Sequence, residues 1–254
     1  MNKKLVFIKL GGSLISDKTK VNQANLKVID NLSKEIKAVL DQDNNLSLFL
    51  FTGAGGFGHP VAEKYKNNLK EGLTEIKNAC KKLNQIVVDT LINQSGLKTV
   101  SIEPDKIVEY RNGKLTSLLN NSIFQLLGKN IIPVFHADLV HDKKLGVSVL
   151  SMDKFLADSA VFFKDRGFKI EKVIFAGTTS GVVDRHGRTI PRLTKKDFVK
   201  MENVFYKGIG IDVSGGMKYK VEQCLKLADR GIESQIVDGR TKNIFNKTGT
   251  VISK

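Results

Sequence analysis

The sequence has few polar aromatic and few reactive side chains: its 254 residues include no tryptophan, four tyrosines, four histidines and two cysteines. So few tyrosines and tryptophans to stack on bases argue against a nucleic-acid partner. Cys80 and Cys224 form no CxxC pair and are too few for a disulfide framework. We therefore expect free thiols in a reducing compartment, without a catalytic role.

A long apolar run is also missing. The N-terminal stretch MNKKLVFIKLGGSL begins with charge, and its apolar run meets Lys9 and two glycines after about five residues. Such a run is too short for a signal peptide or a membrane span. We expect a cytoplasmic protein with no membrane partner.

Acidic residues are fewer than basic ones: the chain has 26 Asp and Glu and 41 Lys and Arg, which gives a formal net charge of +15. This excess favours anionic partners such as phosphates and nucleotides, although most of the charge reads as solvated surface. With 41% hydrophobic residues, the chain can form one large domain or two tightly packed lobes.

Short runs rich in β-branched and aromatic residues alternate with longer segments of helical period. The alternation predicts an α/β fold with a largely parallel central sheet covered by helices, and an active site beyond the carboxyl ends of its strands. Residues 104–120, with an Asn-Gly pair, and residues 182–193 predict hairpins. The predicted strands are LVFIKL, LSLFLF, KTVSI, IIPVF, KVIFA, SQIVDG and TGTVIS, and the predicted helices span 25–40, 73–94, 121–128, 153–167, 218–231 and 241–246.

Familiar nucleotide and metal motifs are absent. No GxxxxGK[ST] occurs, and no glycine run matches the spaced GxGxxG well. The spacing of His136, His141 and His186 does not indicate zinc ligands, so we predict no metal-binding residues.

Three glycine-rich turns have a lysine or histidine within a few residues. IKLGGS at 8–13 follows the first strand, TGAGGFGH at 52–59 follows the second, and DVSGGMKYK at 212–220 precedes a helix. Backbone N–H groups at such turns and at helix N-termini can bind an anion. Each alone could be a tight turn, and His59 could instead cap a helix that begins near Pro60. Together the turns indicate a phosphate held by glycines and lysines.

Phosphoryl transfer suits these residues, because it requires positioning and charge neutralisation more than a covalent nucleophile. Lys9, Lys18 and Lys220 are the candidate cations. Asp153, at the start of a predicted helix, could orient the lysines or hold magnesium, and an N-cap role explains it equally well.

The same residues resemble the amino acid kinase superfamily. The resemblance rests on KLGGS at 9–13, the glycine loop at 53–58 and DVSGGMKYK at 212–220, in that order across nearly the whole chain. Within the superfamily the chain is most similar to the isopentenyl phosphate kinases, through SDK at 16–18, GFGHPVAEKY at 56–65, VDTL, VSIEP and IIPVFHADLVHD. It implies an open αβα sandwich that forms a homodimer.

The resemblance further implies ATP-dependent conversion of isopentenyl phosphate to isopentenyl diphosphate in isoprenoid biosynthesis, with Mg²⁺. Residues 1–145 would bind the phosphate acceptor and dimerise, and residues 146–254 would bind the nucleotide, within one continuous sheet. Matching positions give catalytic roles to Lys9, Lys18, Asp153 and Lys220, acceptor binding to Ala54, Gly55, Gly56 and His59, and nucleotide binding to Gly11, Gly12, Ser13, Gly177, Gly215, Gly216 and Lys220.

The helix predicted at 73–94 has an apolar stripe that could line a hydrocarbon pocket. A core-facing helix shows the same pattern, so the stripe does not distinguish the two. Its members are Ile76, Cys80, Leu83 and Val87.

The chain departs from the family pattern at four places. Thr-Gly-Ala-Gly at 52–55 replaces His-Gly-Gly-Gly, and HAD at 136–138 replaces His-Gly-Asp. SMDK at 151–154 replaces Ser-Gly-Asp-Asp, and GTTSG at 177–181 replaces Thr-Asp-Val-Asp-Gly and loses both acids. These changes leave the preferred triphosphate open.

Two other functions remain open from the sequence. A kinase for another small phosphate or phosphonate, like the related fosfomycin kinases, would share the glycine loop and histidine, although the HPVA continuation at 59–62 favours isopentenyl phosphate. A non-catalytic ligand-binding relative would explain the missing acids, but Lys9, His59 and Lys220 are all retained.

Overall fold

The computed structural model describes residues 3–17, 20–118, 120–208, 216–246 and 249–254. The strands are β1 Lys4–Leu10, β2 Leu46–Thr52, β3 Thr99–Ile102, β4 Val108–Arg111, β5 Lys114–Leu118, β6 Ile132–His136, β7 Asp138–Asp142, β8 Gly146–Leu150, β9 Lys169–Gly177, β10 Arg192–Leu193, β11 Ser234–Asp238 and β12 Thr250–Ile252. The helices are α1 Gly12–Ile15, α2 Leu26–Gln42, α3 Gly55–Lys64, α4 Leu73–Ser95, α5 Asn120–Gly128, α6 Met152–Lys164, α7 Lys195–Gly208 and α8 Gly216–Asp229.

An eight-stranded sheet forms the centre of the fold, in the order β10-β12-β11-β9-β1-β2-β6-β3. Its neighbouring strands are parallel except β11 and β12, which are antiparallel. Every strand predicted from the sequence lies in this sheet. The predicted α/β fold with a largely parallel central sheet is therefore confirmed.

Both faces of the central strands are buried, which explains their continuous apolar runs. Alternate residues of β1 enter two different clusters, since Leu5 and Phe7 pack on one face and Val6 and Ile8 on the other. On the first face the rings of Phe7 and Phe49 stack with their centroids 4.7 Å apart. Helices α6 and α8 cover that face, and α2 and α4 cover the opposite one.

A second, four-stranded sheet in the order β5-β4-β7-β8 adjoins the first face. The predicted Asn-Gly hairpin joins β4 to β5, and Asn112 and Gly113 have φ angles of 53° and 71°, as a type I′ turn requires. Their N–H groups donate to the carboxylate of Asp142 at 2.8 and 2.7 Å, and Lys144 and Leu145 donate to the same carboxylate. One buried acid therefore joins the two hairpins of this sheet.

The helix predicted at 241–246 is wrong, because the backbone forms turns there. Asn243 has a φ of 71°, the carbonyl of Ile244 accepts from Gln235 Nε2 at 2.5 Å, and that of Phe245 accepts from Lys172. Long-range hydrogen bonds thus replace those of a helix. The other predicted helices are confirmed to within three residues at either end, while α7 and the β7–β8 hairpin were not predicted. Among the described residues, no helix has both the length and the apolar character that crossing a membrane requires.

Candidate active site

Lys9 and Asp153 form a nearly buried ion pair at the carboxyl end of β1. Both carboxylate oxygens of Asp153 lie 2.8 Å from Lys9 Nζ. Asp153 lies in the first turn of α6, but Ser151 occupies the N-cap position, so the N-cap interpretation of Asp153 is wrong. The ion pair thus joins residues that are 144 positions apart in the sequence. It lies at the carboxyl end of the central strand, where the active sites of parallel-sheet proteins are found.

The first two glycine turns pack backbone against backbone. A Cβ atom at Gly12 would lie 2.3 Å from the amide nitrogen of Gly55, and one at Gly53 would lie 2.5 Å from the nitrogen of Gly12. Gly55 has a φ of 54°, which also favours glycine. Gly11 N–H donates to the Ala176 carbonyl at 2.8 Å, which ties the same turn to β9. Three strand ends therefore meet at these glycines.

Helix α3 begins earlier than predicted. It starts at Gly55 with Ala54 at its N-cap, so the predicted start near Pro60 is wrong. Pro60 has no N–H to donate to the carbonyl of Gly56, four residues before it, and that carbonyl instead accepts from Asn22 N–H at 3.3 Å. The helix therefore continues through the proline, and the glycines form its first turn.

The amide groups of this first turn are not equally available. Gly56 N–H donates to Ser16 Oγ at 2.8 Å. Among the described residues, no hydrogen-bond partner is found for the N–H groups of Ala54 and Gly55. His59 lies in the second turn of α3, half-buried, so an N-cap role for it is also wrong. The arrangement favours Ala54, Gly55 and His59 for anion binding over Gly56, whose amide is already engaged.

The third glycine turn is described only from Gly216 onward. Gly216 begins α8 with a φ of 62°, and Lys220 follows in the second turn of that helix. Lys220 Nζ lies 3.6 Å from where a Cβ atom of Gly177 would be, at the carboxyl end of β9. Ser13 lies in α1, beside the first glycine turn. Lys18 and Gly215 lie outside the described residues.

The apolar stripe of α4 divides between two environments. Leu83 and Val87 belong to the core cluster that α4 forms with α2 on one face of the large sheet, as the core interpretation predicts. Ile76 and Cys80 form a separate cluster with Leu139 of β7, beside the second glycine turn. Burial raises the pKa of the Cys80 thiol to about 12, so this cysteine is inert at neutral pH. Partly buried side chains that pack against this small cluster are Ala54, Val61, Ala62, Tyr65, Leu69, Leu73, Ala137 and Val147.

The HAD segment lies at the end of β6 and the start of β7. Burial raises the pKa of Asp138, although Lys77, 3.5 Å away, and His136 oppose the rise. His136 lines a cavity of about 170 Å³ between α4 and the end of β6, together with Lys77 and Lys81. These polar groups border the small apolar cluster without belonging to it.

A charged network that the sequence did not predict is centred on Asp158 of α6. Lys154 pairs with Asp158, whereas Asp153 pairs with Lys9. Lys226 of α8 also binds Asp158, and Tyr110 of β4 donates to it at 3.2 Å. The network joins α6, α8 and the second sheet around one nearly buried carboxylate, and only the i,i+4 spacing of Lys154 and Asp158 could have indicated part of it.

Comparison with known proteins bears on this geometry. The amino acid kinase family profile matches residues 4–238. Isopentenyl phosphate kinase of Methanocaldococcus jannaschii is 32% identical over 240 residues, covering 89% of each chain, and that of Methanothermobacter thermautotrophicus is 28% identical over 251 residues, covering 92% of this chain and 91% of the relative. A crystal structure of isopentenyl phosphate kinase superposes with a TM-score of 0.79 and 25% identity, covering 98% of this chain and all of the other.

The profile match runs from the first residue of β1 to the last of β11 and so includes all the strands around the Lys9–Asp153 pair. The curated relatives are matched over nearly their whole length, so the similarity is not confined to one motif. This chain belongs to the amino acid kinase family.

Proposed function

We propose that this chain transfers the terminal phosphoryl group of ATP to isopentenyl phosphate, giving isopentenyl diphosphate and ADP for isoprenoid biosynthesis. The observation that carries the proposal is the Lys9–Asp153 pair at the central strand end, with the interlocked glycine turns on one side and Lys220 on the other. Similarity to isopentenyl phosphate kinases along the chain supports this acceptor.

In the proposed reaction an oxygen of the acceptor's phosphate attacks the terminal phosphorus of ATP, and the bond to the bridging oxygen of ADP breaks. The acceptor oxygen is already anionic, so no general base is required. Lys9 would stabilise the charge on the transferring group, and Asp153 would keep its ammonium at one place. Lys18 and Lys220 would neutralise the nucleotide's phosphates.

The acceptor would bind at the N-terminus of α3. Its phosphate would accept hydrogen bonds from Ala54 and Gly55 N–H and from His59, where the helix dipole also favours an anion. Gly56 would contribute by its lack of a side chain, since a Cβ there would lie 2.4 Å from the Asp17 carbonyl. The hydrocarbon chain would lie against the apolar cluster around Ile76 and Cys80.

The nucleotide would bind over β1 and β9, along Gly11, Gly12, Ser13, Gly177, Gly215, Gly216 and Lys220. No group of three or more His, Cys, Asp and Glu that could hold a metal is found among the described residues. The magnesium ion that accompanies ATP would be held chiefly by phosphate oxygens and water, as Mg²⁺ often is. Asp153 would be the carboxylate of the proposed site that could assist.

We also propose that residues 1–145 and 146–254 act as acceptor and nucleotide lobes, and that the chain works as a homodimer in the cytoplasm. Both lobes contribute to the site, since Lys9 belongs to the first and Asp153 to the second. The two buried free thiols, Cys80 and Cys224, suit a reducing compartment.

The test is isothermal titration with isopentenyl phosphate and with fosfomycin, in the presence of a non-hydrolysable ATP analogue, followed by a turnover assay with ATP. Saturable binding of isopentenyl phosphate and release of ADP are expected. Preference for fosfomycin would favour a phosphonate kinase. Binding without turnover would indicate a non-catalytic relative, and binding of neither compound would overturn both kinase functions.

A further inference from the structure

Arg240 has a guanidinium that spans two strand ends of the proposed nucleotide lobe. It follows β11, and its Nε and Nη2 donate to the Asp238 carboxylate at 2.9 and 2.6 Å. Nη2 also donates to the carbonyl of Thr178, directly after β9, at 2.8 Å. The guanidinium plane is therefore fixed by two neighbouring loops.

One side of this guanidinium is occupied and the other is open. Within the described part of the chain, Arg240 Nη1 has no hydrogen-bond partner, and the side chain is 56% exposed against 14% for Asp238. Because Nε and both N–H groups of Nη2 are engaged, the two N–H groups of Nη1 are the donors that remain. Such a fixed set of donors recognises acceptor atoms on a ligand.

The position of Arg240 corresponds to the nucleoside end of the site. The strand order β11-β9-β1 puts Arg240, Gly177 and Lys9 at successive strand ends, with Lys220 beside Gly177. At about 4.8 Å between strands, Arg240 lies roughly 10 Å along the sheet from the transfer centre. If the phosphates lie over β1 and β9, as the proposed function has it, the nucleoside reaches β9 and β11.

Arginine side chains only donate hydrogen bonds, so the free N–H groups of Arg240 cannot pair with the amino group of adenine. Residues 177–181, GTTSG, contain no carboxylate, and the Asp238 carboxylate is already bound by Arg240. Adenine carries an amino donor at N6, whereas guanine carries the acceptor O6 at that place, to which one N–H of Nη1 can donate. Donors facing the adenine amino group would leave it unpaired.

We propose that Arg240 is a specificity-determining residue that donates from Nη1 to O6 of a guanine base. The chain then accepts GTP as a phosphoryl donor in addition to ATP, giving GDP and the same phosphorylated acceptor. This inference rests on the proposed function and adds the base that the nucleotide lobe recognises.

The experiment compares kcat/KM for GTP, ITP and ATP in the wild-type protein, in Arg240→Met and in a matched control. Arg230→Met is that control, because Arg230 also pairs with a carboxylate, Asp165, but at the C-terminal ends of α8 and α6. Arg240→Met is expected to lower the GTP/ATP ratio by roughly tenfold or more. ITP, which retains O6 and N7 but lacks the 2-amino group, should lose as much as GTP, and Arg230→Met should leave the ratio unchanged.

An unchanged GTP/ATP ratio in Arg240→Met would overturn the inference and leave Arg240 as a brace between Thr178 and Asp238. An equal loss for all three nucleotides would also overturn it, because it would indicate a contact to ribose or phosphate. If the wild-type protein transfers from no triphosphate, the proposed function fails. The inference is then decided by calorimetric affinities for GTP and ATP, whose ratio should show the same loss in Arg240→Met.

Discussion

At the scale of single residues, the proposed site neutralises its own charges before a ligand binds. The side chains of Lys9 and Asp153 are 12% and 8% exposed, so each would be costly to bury without the other. The pairing holds the ammonium in place while leaving it able to interact with a phosphoryl group. A substitution at Lys9 therefore removes the positive charge and also leaves the buried carboxylate of Asp153 without its partner.

We expect Lys9→Met to lower turnover by about two to three orders of magnitude, because a fixed cation beside the developing charge stabilises the transition state by several kcal/mol. Lys4→Met is the matched control, since Lys4 lies on the same strand and pairs with Asp43 at the exposed opposite end. ADP release and the thermal unfolding midpoint are measured on both variants. Near-normal turnover of a folded Lys9→Met protein would remove Lys9 from the mechanism.

His59→Ala should weaken binding of isopentenyl phosphate by roughly ten- to a hundredfold, because a charge-assisted hydrogen bond of about 1.5–3 kcal/mol is lost. Affinity for nucleotide should hardly change, and His59→Gln, which can still donate, should recover part of the loss. His141→Ala, at an exposed position of β7, serves as control. Titration calorimetry measures both affinities. Lower thermal stability with unchanged acceptor affinity would show that His59 is structural.

At the scale of elements, the four-stranded sheet depends on the carboxylate that joins its hairpins. Burial alone would raise the pKa of Asp142, but N–H groups from Gly113, Leu145, Lys144 and Asn112 hold that pKa well below its usual range. In the folded chain the Asp142 carboxylate therefore stays ionised to a lower pH than an ordinary aspartate does. The two hairpins are held together by hydrogen bonds to one charge.

Asp142→Asn should lower the thermal unfolding midpoint at pH 7, because an amide oxygen replaces a charged pair of acceptors. The pKa of Asp142 is lower in the folded than in the unfolded chain, so its stabilisation is present above about pH 4 and is lost as the pH falls further. The difference between wild type and variant should therefore shrink in acid. Asp41→Asn, in an exposed pair with Lys37, is the control. A difference that stays constant from pH 7 to pH 3 would contradict this assignment.

The elements that could be predicted from the sequence are those whose signals are local. Apolar runs gave seven of the eight strands of the large sheet, all but the two-residue β10, and the Asn-Gly pair gave the β4–β5 turn. The start of α3 was missed because glycine and proline usually interrupt helices, and the bond from Asn22 to Gly56 that compensates for Pro60 is not local. The helix at 241–246 was predicted wrongly for the converse reason, since distant side chains bind its carbonyls.

The candidate site was predictable in composition but not in arrangement. The sequence allowed Asp153 to orient the candidate lysines, but no pattern in it indicates that Lys9 is the lysine that Asp153 binds. The hydrogen bond from Gly56 N–H to Ser16 Oγ cannot be predicted from the sequence either, because it depends on two loops meeting in space. Arg240 was overlooked since it follows a strand outside every glycine turn.

At the scale of the whole molecule, the net charge of +15 acts on every anionic ligand at once. Long-range attraction raises the rate of encounter with phosphates and is screened by salt. We expect kcat/KM for isopentenyl phosphate to fall as sodium chloride is raised from about 20 to 300 mM, a range over which the Debye length drops severalfold, with a smaller effect on kcat. Steady-state kinetics at constant magnesium measure both. A kcat/KM that does not change with salt would show that the surface charge does not attract isopentenyl phosphate at long range.

The central place of β1 has a consequence for synthesis on the ribosome. This strand is made before β2 and β9. It can pair with β2 as soon as residues 46–52 are made, but its other edge pairs with β9, which ends at Gly177. Until then the β9-facing edge of the nascent sheet has unpaired N–H and C=O groups. If translation were stalled between β2 and β9, for example by an engineered arrest sequence, the nascent chain would expose an unpaired strand edge. A chaperone or a second nascent chain could bind at this edge.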